Sequence, residues 1–391
     1  MYRRSEDERR WVGVGASNTT DAAVAGAEAA KIAIAGDDVR LLVVFASDDY
    51  DLQQLVDGIA GVAPDAPLIG CSTAGEIRGD GAGDHSVVVT ALGGAFTVGT
   101  AVARGAAEDL HRAGAIVAEA AQASDDQPHR ILMLLSDGLA GDQQEIVRGV
   151  YATLGAAVPL VGGCAGDGLR MRQTHQLYGH EVLTDAVVGA AVGSEAPIAI
   201  GVRHGWRPVG DRLLVTASRG NRVFRLNDGT ALDEYLDHLY APPEVRTDPE
   251  AFTRFAITHP LGLERRTGSE VRFIGGADFE DRSLTCIAEV PQGEMAWIME
   301  GDDHSVLEAT DAACAVAREG LEGREPIGLV AFDCIARRGV LGDEGIKTEV
   351  ERIGAQFPAA PLAGFYTYGE FARTHGTRGF HNQTLVVLAL A

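Results

Sequence analysis

The residues with the most chemical potential gather in one phrase near the C-terminus, PLAGFYTYGEF at 361–371, where Tyr366, Tyr368 and Glu370 follow an apolar Pro-Leu-x-Gly step. Related phrases occur at 67–77 (PLIGCSTAGEI, with Ser72, Thr73 and Glu76) and, more loosely, at 159–169 (PLVGGCAGDGL, with Cys164 and Asp167). Each reads as a strand delivering polar residues to a loop. Just downstream of another apolar run stand Cys334 and Arg337, and after the last phrase come His381 and Asn382. A guanidinium can hold a carboxylate through two parallel hydrogen bonds, and a carboxylate can hold an ammonium. Arg337 and Glu370 on neighbouring strand ends would therefore suit a zwitterion. Tyr366, Tyr368, His381 and Asn382 would line its pocket, and aromatic rings with polar tips serve both needs.

Each of these residues also has a structural reading. Arg337 can pair with Asp333 or Asp343 while Cys334 fills the core. The alternating Tyr366 and Tyr368 share one strand face, which can simply face a core. The acids Glu76, Asp167 and Glu370 can cap turn amides beside their glycines, and for Asp167 the turn is favoured.

Other chemistries have less support. Gly162 to Gly166 fits a G-x-C-x-G elbow and opens an alternative, a thiol-dependent hydrolase using Cys164 or Cys334. Such an elbow needs a helix directly after it, and residues 167–180 show no helical period. The pairs His175/His180 and His375/His381 lack a third metal ligand at suitable spacing, so no metal and no catalytic residue is assigned. A haem-binding sensor stays open as a further alternative, because a single axial side chain leaves no spacing signature. No cofactor is expected. Phosphate is disfavoured, since the acids Asp48, Asp49, Asp51, Asp142 and Asp343 crowd the helix starts and no Walker motif occurs.

Composition narrows the class further. The chain has 391 residues and a formal charge of −23, without a basic run to meet nucleic acid. Five scattered cysteines without C-x-x-C suit reduced thiols. Only two lysines, Lys31 and Lys347, are present, which nearly excludes Schiff-base chemistry. No apolar leader and no stretch of about 18 apolar residues is seen, so a cytoplasmic protein without membrane contact is expected.

The elements that must position these residues follow from periodicity. Trp11 to Gly15 reads as a strand. A capped Ala-rich helix follows over 22–35, then a buried strand at 40–46 and a helix from Leu52 toward Pro64. After the first phrase come strands at 86–92 and 96–103. The pattern restarts with helix 108–123, strand 131–135, helix 143–154, the second phrase, and strands at 182–192 and 198–202. The fold class is thus α/β of mixed α+β type, in two domains of mixed sheets with packed helices built from helix-strand-helix-strand-strand units. The first domain spans 10–195 and the second 196–391. In the second, strands over 205–226, a helix at 230–239, a Pro-rich loop at 241–250 and a strand meander over 252–299 are expected. A capping box at Ser305/Glu308, a strand to Phe332 and a helix from Glu344 to Ile353 lead into the third phrase.

The ordered set GVGASNTTDAAVAGAEAA, VVFAS, GCSTAGEI, GWRPVG, VTASRGN, FDCIARR, GFYTYGE and GFHNQT resembles the FIST domain proteins, in their N-terminal and C-terminal halves, over nearly the whole chain. That resemblance implies a sensory module of intracellular signal transduction that binds small molecules such as amino acids. Members are often fused to kinase, chemoreceptor or F-box segments. This chain is expected to be a stand-alone member whose output is a separate signalling protein.

Overall fold

The computed structural model describes residues 10–265, 268–373 and 378–391. Three sheets of six strands each carry the architecture, and all three are assembled in the same order. At the centre of each lies a parallel pair: Val39–Ser47 with Leu68–Thr73, His129–Ser136 with Leu160–Cys164, and Gly328–Cys334 with Leu362–Thr367. These six strands are the continuous apolar runs of the sequence, buried on both faces as parallel strands are. Antiparallel strands flank them on one side.

On the other side each sheet is completed by a hairpin from elsewhere in the chain. The first sheet receives Gln176–Tyr178 and Glu181–Leu183, the second Glu370–Arg373 and Phe380–His381, and the third Glu76–Arg78 and Gly81–Gly83. The exchange is cyclic and in register: Cys71 pairs with Gln176, Gly163 with Glu370, and Phe365 with Glu76. The halves 10–195 and 196–391 therefore share two sheets.

The inner faces of the three sheets meet in one core, where Phe45, Phe332 and Phe365 pack edge-on or tilted within 6.1 Å of one another. Helix pairs cover the outer faces. The first pair, Ala22–Ala33 and Leu52–Ala60, is capped by Asp21 and Asp51, whose carboxylates accept from backbone amides three residues on. A β-carbon at Gly26 would lie 2.2 Å from the carbonyl oxygen of Leu55, so glycine is what lets these helices touch.

Three local expectations change. Residues 248–256 start a helix, Pro249–Ala256, because Asp248 caps it and Pro249 supplies the first turn. The box before Asp303–Gly320 is Asp302 with Ser305, which places Ser305 at the third helical position rather than at the cap. The helix expected from Glu344 is present and runs to Gln356, but an unexpected helical segment opens at Ile335 ahead of it, the two separated at Gly342, whose φ of +62° and ψ of −176° are not helical. A fourth sheet with its own apolar core interrupts the third unit between Arg203 and Asp303. Among the described residues, no helix is long and apolar enough to cross a membrane.

Candidate functional site

Where each borrowed hairpin begins, its first residue drops a polar side chain against the end of a parallel pair. In the third sheet this residue is Glu76. Thr73 Oγ1 donates to Glu76 Oε1, and the backbone N–H and hydroxyl of Ser86 donate to Oε2 at 3.0 and 2.7 Å. Gly75, at φ +120°, turns its N–H back onto Thr73 Oγ1. In the second sheet Glu370 repeats the arrangement with Thr367 (2.5 Å) and the amide of Thr384 (3.1 Å). In the first sheet the place is held by Gln176, whose Oε1 accepts from Ala186 N–H and whose Nε2 donates to Thr174. Thr174 in turn donates to Asp137 at 2.7 Å. Burial pushes the Glu76 carboxyl up to about 7 against the pull of its donors, and Glu370 up to about 8 for the same reason.

Asp167, the acid of the second phrase, has a different task. It accepts from the backbone amides of Met171, Arg172 and Gln173 and from the hydroxyl of Tyr368, which pins the loop that follows. This is the turn role favoured from sequence.

Beside Glu76 lies a cavity of about 560 Å³ at the carboxyl ends of the first parallel pair. Strand ends of an α/β sheet are where ligands usually sit. Three parts of the chain build it: Ser47, Asp48, Asp49 and residues 73–76 with Asp84 and His85; the pinned loop through Gly168, Leu169 and Arg170; and the start of the helix Ile335–Gln356, through Ile335, Arg338, Gly339, Gly342 and Asp343. Arg338 grips Asp84 with two bonds of 2.7 and 2.8 Å, donates to the Ala74 carbonyl, and lies 5.1 Å above the Tyr366 ring. Arg170 pairs with Asp48 and Asp49.

Of the residues singled out from sequence, Thr73 and Glu76 line this cavity, whereas Ser72, Cys334, Arg337, Tyr366, Tyr368, Glu370, His381 and Asn382 do not. Ser72 bonds the Gly166 carbonyl and the His175 amide. Arg337 and Glu370 lie near enough for the guanidinium to hold the carboxyl down somewhat, yet they do not flank this hollow. Arg337 is wholly buried between Asp333 (2.6 Å) and Glu349 (2.5 Å), and also donates to Thr310 and to the His204 carbonyl. The structural alternative of a pair with Asp333 is what the fold uses. Its neighbour Arg338, which no spacing in the sequence singles out, faces the cavity instead. Asp48 and Asp49, which the sequence places with Asp51 at a helix start, serve as partners of Arg170, and Asp51 supplies the cap.

Tyr368 holds the loop amides of Asp167 and Leu169. Tyr366 is buried with its hydroxyl unpaired among the described residues. His381 bonds the Ala372 carbonyl, and Asn382 the carbonyl of His381. Cys164 and Cys334 are buried and their thiols pushed up, the opposite of what a nucleophilic thiolate needs, and no helix follows Cys164. Among the described residues no group of three or more His, Cys, Asp and Glu could hold a metal ion; His375 lies outside them. A charged lining whose single histidine, His85, is tied to Asp49 does not fit the faces of a porphyrin.

Comparison with known proteins adds a family. The model of the FIST N domain matches residues 40–229 and that of the FIST C domain residues 231–373. An uncharacterized protein of Methanocaldococcus jannaschii is 24% identical over 269 residues, 64% of this chain and 52% of its own length, so the chain spans about half of that relative. Uncharacterized proteins of Mycobacterium bovis and Mycobacterium tuberculosis are each 25% identical over 387 residues, 95% of this chain and 97% of theirs. Among solved structures, the cyanuric acid hydrolase of A. caulinodans aligns over 98% of this chain and 100% of its own at 13% identity, with a TM-score of 0.31.

Proposed function

Because the chain belongs to the FIST family, whose domains are generally taken as sensory modules for small ligands in signal transduction, we propose that it senses a small polar metabolite, an amino acid or a close relative, held in the cavity beside Glu76. The observation that carries this reading is the cavity itself. It is large enough for such a molecule, sits at the strand ends, and is walled by three separate parts of the chain, so an occupant would tie them together. The ligand's ammonium would meet Glu76 and Thr73. We further read the three sheet units as copies of one module, the protein as cytoplasmic, and its output as a contact with a separate signalling protein.

Gly339 supplies the test. It lies on the cavity wall inside a helix, and a β-carbon there meets nothing within 4 Å. Gly339→Trp should fill the cavity without disturbing the fold. Native mass spectrometry of freshly purified protein, followed by a thermal-shift panel of amino acids, should find a ligand that the wild type holds and the variant does not. A binder retained equally by both proteins would remove this cavity from consideration.

A further inference from the structure

The charges around the cavity narrow the ligand further, on the premise that the cavity is the ligand site. Five carboxyl groups line it, Asp48, Asp49, Glu76, Asp84 and Asp343, against two guanidinium groups, Arg170 and Arg338. Neither cation is idle. Arg338 is matched bidentately by Asp84, and Arg170 is shared between Asp48 and Asp49, the latter also holding His85. Burial raises the Asp48 carboxyl even with Arg170 beside it, whereas Arg170 holds Asp49, and Arg338 holds Asp84, below the usual carboxylate range. Asp343, exposed at the rim, makes no salt bridge among the described residues, and Glu76, enclosed at the floor, is held by hydroxyl and amide donors alone.

An entering anion would have to take a guanidinium from its carboxylate and leave that carboxylate unpaired, an exchange that is costly in a partly desolvated site. A cation leaves both of these ion pairs intact. Leu169 and Ile335, both on the lining, offer an apolar wall along which a short methylene chain can lie.

We propose that the ligand carries net positive charge: a small aliphatic amine or guanidine, such as a basic amino acid or a diamine, with one cationic end at Glu76 and the other toward Asp343. Two features of this assignment differ from a plain zwitterion site. A second cationic group is required rather than tolerated, and acidic analogues of the same length are rejected by the carboxylates rather than merely ignored.

The test is isothermal titration of the full chain at about 0.15 M salt with lysine, putrescine and agmatine, and with glutamate and succinate as acidic counterparts of similar length. The cationic compounds are expected to bind at least about tenfold tighter than the acidic ones, since one charge pair gained or lost in such a site is worth about 1.4 kcal/mol or more. Gly339→Trp should abolish that binding, and Glu76→Gln should weaken it about tenfold. Gln176 already fills the corresponding place in the first sheet, so the E76Q protein should fold. Glutamate or succinate binding tighter than the amines, and lost in Gly339→Trp, would overturn the charge assignment while leaving the sensory reading intact. Amines that bind Gly339→Trp as well as wild type would also overturn it. If none of the five compounds binds and no small molecule co-purifies, the cavity is not the ligand site, and both readings fall.

Discussion

Replacing Glu370 by Gln should make the protein more stable in mild base, although it removes a buried, hydrogen-bonded acid. The carboxyl is fully buried and its pKa stands at about 8, against 4.5 for an unhindered glutamate. The folded state therefore holds a proton that the unfolded chain releases. Stability is highest below about pH 4.5 as far as this group is concerned, and falls as pH rises until the folded group itself ionises near 8. Each pH step of one between those two values costs about 1.36 kcal/mol, so the loss reaches about 3 kcal/mol at pH 7 and about 5 kcal/mol above pH 8. A glutamine escapes this loss. It can also keep the local bonds, because Gln176 accepts from Ala186 N–H and donates to Thr174 in the corresponding cell, where Thr384 and Thr367 would take those places for residue 370. Urea unfolding of wild type and Glu370→Gln at pH 5, 7 and 9 provides the assay, and comparing the two proteins cancels titrations elsewhere. The expected result is near equality at pH 5, within about 1 kcal/mol, and a variant more stable by several kcal/mol at pH 9. Two parallel profiles would show that Glu370 is ionised throughout, and that its donors outweigh burial.

Arg337→Ala should destabilise the fold by about 3–5 kcal/mol in denaturant unfolding, because Asp333 and Glu349 would be left facing each other in the core; a loss below about 1 kcal/mol would mean that the buried pair can shed its charge freely. Gly339→Ala should raise stability by about 1 kcal/mol, since the residue is helical and its surroundings are open; chemical denaturation reads this directly, and a loss of stability would show that the helix start is not rigidly formed. Asp167→Ala removes the acceptor of three loop amides, so hydrogen exchange at Met171, Arg172 and Gln173 should speed up while exchange in the strand Leu160–Cys164 stays unchanged.

Much of the local structure was legible in the chain. Asp21 and Asp51 announce their helices because a cap acts within three residues, and the buried strands announce themselves because runs such as LLVVF and ILMLL have no polar face to show. The three Pro-Leu-x-Gly phrases mark the second strand of each parallel pair, and the ordered motifs point to the family. These are short-range facts, carried by residues within a turn or a strand of one another.

What the sequence withheld depends on contacts hundreds of residues apart. That Glu76 completes a sheet with Phe365, and Glu370 one with Gly163, follows only from the cyclic exchange of hairpins. The same exchange makes Gln176, outside every motif, the counterpart of the two glutamates. Whether Arg337 or Arg338 reaches the cavity is decided by the helix beginning at Ile335: adjacent residues on a helix point about 100° apart, so one guanidinium enters the core toward Glu349 while the next meets Asp84. Residue types set which charges are available, but the docking of three sheets decides which of them are matched inside the core and which line the cavity.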